Sequence, residues 1–439
     1  MDLLTDIRQK RVTAAVIGLG YVGLPMCRAI VGAGLRCIGF DISASRVEMI
    51  RSGSSPVDDV TDAEVEELVK SALFTATDDA RLLADADVVL ICVPTPIDRW
   101  KTPDLSCVIS ASRTIAENPK LGQLVVLEST SYPGTTVEVV KPILEERGMV
   151  AGRDFQLAFS PERIDPGNKD FAVCDIPKVV GGLTSYCADC AEAFYSLLVK
   201  RIVRVSSPST AEMAKIHENV FRCVNIAYVN ELALLCDRMG IDVWEVIEAA
   251  ATKPFGFMKF YPGPGLGGHC IPVDPYYLAW KARDYGFHMR FTELAASIND
   301  SMPYHVVRRA ASLLNTQCKS LNRSRVLVLG VTYKKDVADR RESPALKIIP
   351  LLMNEGAEVM YHDPYIPHLV VESADRTGST FELDSVDLTD ELIASLDCCV
   401  IITAHTGLPY DKIVRLCSGV LDTRNALKEF PTAANVVKL

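Results

Sequence analysis

The sequence predicts an α/β protein in which two Rossmann-like, doubly wound domains are joined by a central all-helical domain. Three observations carry that reading. From Val12 to Val205, short apolar β-rich runs alternate with helical stretches, the pattern of a parallel sheet covered on both faces. After Ser206 the alternation gives way to helical periodicity, and from Arg325 it returns. The chain's 439 residues suit two or three domains that each bury a core. The expected domains are 1–205, 206–316 and 317–439.

Taken in order, the runs Val12–Ile17, Cys37–Asp41, Val88–Val93, Leu124–Leu127, Leu157–Phe159, Lys178–Val180 and Arg201–Val205 read as strands of one parallel sheet. Pro208 opens a helix with a polar N-terminus that runs to about Met239, before Gly240. A second helix, Val243–Ala251, leads into a Pro/Gly-rich loop from Phe255 to Pro275. Helices resume over Tyr277–Tyr285 and about Phe291–Leu314. Strands are then expected at Val326–Leu329, Glu358–His362, Cys398–Ile402 and Gly419–Asp422.

Composition excludes several classes. Apolar residues at 49% and charged residues at 23% exclude a mostly disordered chain. A net charge of −10 argues against nucleic acid or an anionic membrane as partner, because the long-range field repels both. The fourteen cysteines are scattered, several of them inside apolar runs, so a reduced cytoplasmic protein is expected. Cys187 and Cys190 form a lone CxxC with no second pair nearby, and no metal is expected there. Arg8, Lys10 and Arg11 before the apolar run Thr13–Cys27 imitate a targeting segment, but Arg28 and three glycines interrupt it. A buried strand leading into a helix is expected instead, with no targeting segment and no membrane span.

Gly18-Leu-Gly20-Tyr21-Val22-Gly23 is a GxGxxG directly after a strand and opening a helix. Gly18 permits the tight turn, Gly20 lets backbone approach a pyrophosphate, and Gly23 lets helix and strand pack closely. The second strand ends in Asp41, where a carboxylate meets ribose hydroxyls and repels a 2′-phosphate. NAD is therefore expected over NADP, with Arg46 close by as a further cofactor contact.

The most informative segment is the loop from Tyr261 to Pro275, which contains Gly267-Gly-His-Cys270 and Val273-Asp274. Glycine and proline at this density build a stiff irregular loop that exposes backbone N–H groups and admits a substrate closely. Cys270 in its middle, beside a nicotinamide site, suggests covalent catalysis. His269 makes an awkward activating base, because adjacent side chains in an extended loop point apart; a structural or substrate-contact role suits it better.

With these residues in view, the sequence resembles the UDP-glucose/GDP-mannose dehydrogenase family over essentially its whole length. Its Cys270 loop is most similar to that of the UDP-N-acetylglucosamine 6-dehydrogenases. The motifs fall in the family's order: the Gly18 loop, Val93-Pro-Thr95-Pro, Glu128-Ser-Thr130, Ser160-Pro-Glu162-Arg163, Lys215 with Asn219, the Cys270 loop, and Tyr333-Lys334-Lys-Asp336 with Arg341-Glu-Ser-Pro344. The resemblance implies a four-electron oxidation of a C6 alcohol to a carboxylate with two NAD⁺. Cys270 would capture the aldehyde as a thiohemiacetal and carry it to a thioester that water hydrolyses, work suited to a thiolate.

The resemblance further implies that Lys215 and Asn219 stabilise oxyanions and position water, one turn apart on one helix face. Asp274 would handle water or protons, and Thr130 and Glu162 would order the hydrolytic water. The plain alternative for Glu162 is an ion pair with Arg163. Thr95, Thr130 and Arg341 would contact the dinucleotide. Glu162, Arg163, Lys215, Asn219, Arg222, Tyr261, Gly267 and Lys334 would contact a UDP-sugar. In the last third, Gly330 and Asp363 form a degraded fingerprint; one glycine instead of three suits a single uridine diphosphate, with Lys334 on its phosphates and Asp422-Thr-Arg424 as a further contact. The implied substrate is a UDP-N-acetylhexosamine, with UDP-GlcNAc foremost. Val273 stands where UDP-glucose dehydrogenases carry lysine, and Lys259 and Arg340 are further departures. The competing substrates are UDP-glucose, UDP-ManNAc and GDP-mannose. A catalytically dead sugar-nucleotide binder is the reading from another class; Cys270, Lys215, Asn219 and Asp274 together oppose it. The long apolar middle helices suggest a homodimer.

Overall fold

The computed structural model describes residues 2–57, 60–98, 100–163, 173–268, 271–373 and 379–439, so His269 and Cys270 lie outside the described residues. The chain divides into two compact units, Met1–Glu218 with Tyr276–His288, and Asn219–Pro275 with Met289–Leu439.

The first unit is built on eight strands: β1 (Thr13–Ile17), β2 (Arg36–Phe40), β3 (Phe74–Thr77), β4 (Val88–Ile91), β5 (Leu124–Leu127), β6 (Gln156–Phe159), β7 (Lys178–Gly182) and β8 (Ile202–Val205). Their order is β3-β2-β1-β4-β5-β6-β7-β8, so the chain reverses its direction of travel between β1 and β4. Ligands in open α/β sheets bind at such a switch point, beyond the strands' carboxyl ends. The register shows why the motifs gather there. Ile17 lies opposite Phe40 and Ile91, Ile91 opposite Leu127, and Leu127 opposite Phe159. The next residue of each strand, Gly18, Asp41, Cys92, Glu128 or Ser160, therefore leaves the sheet along one edge. Strands β4 and β5 are buried on both faces, as their unbroken apolar runs require, and so is β6, which includes Gln156.

Two expectations need correction. The sheet is not wholly parallel: β7 runs antiparallel to β6, with Phe159 opposite Gly181 and Ala158 opposite Gly182. Strand direction depends on how the connection crosses the sheet, which a both-faces-apolar run does not report. The edge strand β3 was not expected, because Phe74-Thr-Ala-Thr77 is short and half polar.

In the second unit β9 (Arg325–Leu329), β10 (Glu358–His362), β13 (Cys398–Ile401), β14 (Val420–Asp422) and β15 (Val436–Lys438) form a parallel sheet of order β10-β9-β13-β14-β15. Between them β11 (His368–Glu372) and β12 (Thr380–Asp384) pair as an antiparallel hairpin. The hairpin and the short β15 escaped the sequence reading. The helices Asn219 to Met239 (the later part of Pro208–Met239), Val243–Ala251 and Arg290–Thr316 also belong to this unit. Asp242 caps the second of them, accepting from the N–H groups of Trp244 and Glu245. Asp274 belongs to a helix, Asp274–Ala282, rather than to the loop before it.

Candidate active site

In the first unit the glycines behave as their spacing requires. Gly18 has φ +94°, and a Cβ on it would lie 2.8 Å from the Cys92 carbonyl oxygen. A Cβ on Gly23 would stand 1.8 Å from the Gly18 carbonyl oxygen, so only glycine lets the helix Gly23–Gly32 start so close to β1. At Gly20 the same construction meets nothing within 4 Å, which leaves open space beside the backbone. A strand, a tight turn and a helix N-terminus with open space at its mouth form a cradle that fits a pyrophosphate. Tyr21 and Val22 complete the turn, and both are half-buried.

Asp41 is 4% exposed, and its carboxylate is engaged by the protein itself. Its Oδ2 accepts from Leu19 N (2.9 Å) and from the Arg46 guanidinium (3.0 Å), and its Oδ1 accepts from Ser43 N (2.9 Å). The carboxylate thus ties the end of β2 to the glycine turn and retains acceptor capacity for one more donor. Thr95 is buried after β4, and Thr130 is half-buried after β5.

Glu162 takes N–H from Arg163 (2.6 Å) and pairs with Lys178 at 3.3 Å. The alternative, an ion pair with Arg163, does not form: the Arg163 guanidinium binds Glu218 (2.7 Å) and the Pro177 carbonyl (2.8 Å). The pairing of Lys178 with Glu128 and Glu162 was not foreseen. The Lys178 ammonium meets Glu128 at 2.8 Å, and the Tyr195 hydroxyl donates to the other oxygen of Glu128 at 2.5 Å. Burial alone would discharge Lys178, but the Glu128 and Glu162 carboxylates outweigh it and hold the ammonium charged. The one signal in the sequence was a lysine opening an otherwise apolar strand. Glu212 was also missed: fully buried on Pro208–Met239, it accepts from Gly134 N, Thr136 N (2.8 Å) and the Thr136 hydroxyl (2.6 Å). Burial pushes its carboxyl up, and those donors offset part of the rise. One turn on, Lys215 is 9% exposed and has no hydrogen bond or ion pair among the described residues.

The second unit holds Asn219, Arg222, Tyr261, Gly267 and Lys334 of the residues expected to contact a sugar nucleotide. Asn219 donates to the Asp274 carboxylate (2.5 Å), joining two residues that are 55 positions apart in sequence. Asp274 is 3% exposed. The Pro/Gly loop packs on the Tyr333–Pro344 segment: Gly268 N donates to the Arg341 carbonyl (2.9 Å), and a Cβ on Gly267 would lie 2.6 Å from that of Tyr333. Arg341 itself is bidentate to Asp339 (2.6 and 3.0 Å). Tyr261 stacks on Trp244 with ring centroids 5.6 Å apart, and its hydroxyl donates to Glu248. Arg424 gives its Nε proton to the Ile402 carbonyl (2.9 Å), and its guanidinium lies against Gly263, where a Cβ would come within 2.5 Å. Burial pulls its pKa down to about 10. Lys334 is half-buried and Arg222 exposed.

The Gly330 turn repeats the Gly18 device. Leu329 lies opposite His362, and Asp363 accepts from Val331 N (2.6 Å) and Tyr365 N (2.8 Å), as Asp41 does from Leu19 N and Ser43 N. The two turns differ in their exits. Beyond Gly330 no helix begins until Ala345, among the described residues, so this turn lacks the immediate helix N-terminus that receives a dinucleotide's pyrophosphate. His405 is fully buried beside it: its Nδ1 accepts from Asp336 N (3.0 Å), so the proton sits on Nε2, which faces Asp363 at 3.1 Å.

Fold and sites together define a dehydrogenase that binds NAD in one Rossmann-like domain and a sugar nucleotide in the other. Residues 12–199, 209–301 and 327–429 match the NAD binding, central and UDP binding domains of the UDP-glucose/GDP-mannose dehydrogenase family, and the chain belongs to that family. It is an NAD-dependent nucleotide-sugar 6-dehydrogenase. It is 38% identical over 359 residues to the UDP-N-acetyl-D-glucosamine 6-dehydrogenase of Pseudomonas aeruginosa, covering 81% of this chain and 84% of that one. It is 34% identical over 429 residues to the UDP-N-acetyl-D-mannosamine dehydrogenase of Pyrococcus horikoshii, covering 95% and 96%. The solved structure of the UDP-ManNAc dehydrogenase from Pyrococcus horikoshii superposes with a TM-score of 0.87 at 33% identity, over 97% of this chain and 98% of that one. Among the described residues no helix is long and apolar enough to cross a membrane.

Proposed function

We propose that this enzyme oxidises the C6 hydroxymethyl of a UDP-N-acetylhexosamine, UDP-GlcNAc foremost, to the uronic acid. The observation that carries the choice is Val273, buried where UDP-glucose dehydrogenases have a lysine, directly before the Asn219–Asp274 pair. Similarity to N-acetylhexosamine enzymes supports it. UDP-ManNAc is the second reading, supported by the relatives at 33–34% identity over 94–96% of the chain.

In this reading residues 1–205 hold NAD through Gly18, Gly20, Tyr21, Val22, Gly23, Asp41, Arg46, Thr95 and Thr130, with Arg341 contributing. Residues 317–439 hold the uridine diphosphate through Lys334 and Arg424. NAD, when bound, accepts the hydrides. The chain supplies the rest: Cys270 holds the aldehyde, Lys215 and Asn219 stabilise the oxyanions, and Asp274 orients Asn219. Thr130 and Glu162 order the water. Lys215 suits its role because a buried ammonium with no partner among the described residues is available to a developing charge. Arg163, Arg222, Tyr261 and Gly267 shape the substrate side. The residues 206–316 carry a stripe of exposed apolar side chains, Phe221, Tyr228 and Leu235 at seven-residue spacing with Met239 beyond. A second copy of the chain covers it, making a cytoplasmic homodimer.

The test is turnover across UDP sugars, following NADH absorbance. A pocket shaped for an N-acetyl group gains a buried methyl and a hydrogen bond, together worth roughly 1–3 kcal/mol or more. We expect kcat/KM for UDP-GlcNAc or UDP-GalNAc at least about tenfold above UDP-glucose. A preference for UDP-ManNAc installs the second reading, and a preference for UDP-glucose refutes both.

A further inference from the structure

We infer that Lys178 is a positioning residue for the hydrolytic step, holding Glu162 in place beside a buried counter-ion pair. The inference rests on the proposed reaction, in which Glu162 orders the water that attacks the thioester.

The geometry comes from the strand reversal. Because β7 runs antiparallel to β6, with Phe159 opposite Gly181, continuing that register three residues sets Glu162 opposite Lys178. A parallel β7 would have placed Lys178 at the far end of the sheet. Instead it opens at the edge where β5 releases Glu128 and β6 releases Glu162. The Ser160 hydroxyl fastens this stretch by donating to the Val179 carbonyl at 2.8 Å.

The two carboxylates sharing Lys178 are not equivalent. The Glu128 side chain is fully buried, 2.8 Å from the ammonium, and its other oxygen takes the Tyr195 hydroxyl at 2.5 Å. That is a closed counter-ion with a fixed orientation. The Glu162 side chain is 15% exposed and 3.3 Å from the same ammonium, so it is the less enclosed of the two. Its other oxygen is held by Arg163 N at 2.6 Å. A carboxylate steadied on both oxygens, yet still reachable, is suited to ordering one water. The Lys178 ammonium also lies 5.1 Å over the Tyr195 ring, which limits where it can swing.

In the step concerned, a water oxygen bonds to the thioester carbonyl carbon and the water gives one proton to Glu162. The C–S bond then breaks, and its electron pair leaves on the Cys270 sulfur. Hydride transfer precedes this step and does not use Glu162. Loss of Lys178 therefore slows acid release and spares NADH formation.

The experiment compares Lys178→Met, Lys178→Arg, Glu162→Gln and the Lys178→Met/Glu162→Gln double variant in single-turnover runs. NADH is followed by absorbance, and the acid and the covalent adduct by rapid quench and intact mass. Lys178→Gln, uncharged and of similar length, replaces the Met variant if the latter does not fold. We expect acid release to fall about 10–100-fold in Lys178→Met, the usual effect of removing an outer-shell partner. Acyl-enzyme should accumulate while the NADH phase stays within about threefold, and Lys178→Arg should recover most of the rate. In the Glu162→Gln background, removing Lys178 should change acid release by less than about threefold, since the group it positions is gone. Multiplying effects in the double variant, or equal loss of NADH and acid, would overturn the assignment and leave the dehydrogenase reading standing. A wild-type enzyme that oxidises no UDP sugar overturns both.

Discussion

Replacing Asp41 by alanine should separate its tethering of the glycine turn from its proposed ribose contact. Inside the protein it accepts from Leu19 N, Ser43 N and Arg46. Leu19 is fully buried, so its N–H loses its partner with no water to replace it, at about 1–3 kcal/mol. The Ser43 bond is partly exposed and adds about 0.5–1.5 kcal/mol. The Arg46 side chain is 43% exposed, and solvent screening leaves that pair worth at most about 1 kcal/mol. Together the variant should lose roughly 2–4 kcal/mol, a fall in melting temperature of about 5–10 °C for a unit of this size. Towards cofactor, a ribose hydroxyl loses a charged acceptor worth about 1.5–3 kcal/mol, so kcat/KM for NAD⁺ should drop about 10–100-fold. For NADP⁺ the sign reverses, because the repelling charge is gone and the Arg46 guanidinium is released to meet a 2′-phosphate. Steady-state kinetics with both cofactors, alongside thermal unfolding, read both effects. Loss of stability with an unchanged NAD⁺/NADP⁺ ratio would show that Asp41 is a tether for the glycine turn and nothing more.

Cys270→Ala should abolish acid formation, whereas Cys270→Ser should accumulate an ester adduct visible by intact-mass spectrometry; normal acid production by either refutes covalent catalysis. Lys215→Ala should lower kcat roughly 10²–10³-fold if it supplies one oxyanion-stabilising interaction, and a change confined to KM would assign it to binding alone. Asp363→Asn probes the second glycine turn through pH. Burial alone would push the Asp363 carboxyl up, but His405 and the N–H groups of Val331 and Tyr365 outweigh it and hold it below 3.8. A depressed carboxyl contributes stability above its unfolded value and loses it as pH falls through the folded one. The gap in urea midpoint between wild type and Asp363→Asn should therefore be wide near neutral pH and narrow below 3.8; an equal gap at both pH values excludes the charge as its source.

Much of the site was legible in the chain because local rules carry it. Gly18, Gly20 and Gly23 stand directly after a strand and open a helix, so their spacing in that setting marked the cradle. Asp41 and Asp363 each close a second strand, a position set by strand length. The Pro/Gly loop could be nothing regular, and from Phe255 to Gly268 the structure keeps it so, although its last two residues open a helix. Tertiary structure decided the features that depend on direction and on distant pairing. Nothing in Lys178-Val-Val-Gly-Gly182 tells which way the strand runs, yet its reversal alone brings Lys178 to Glu128 and Glu162. The Asn219–Asp274 bond spans two helices, and Glu212 meets the Thr136 segment from 76 residues away. Periodicity reports that a side chain is buried and is silent on its partner. Buried charge is stable only when the chain brings its counter-charge to it, so those partners were settled by the fold.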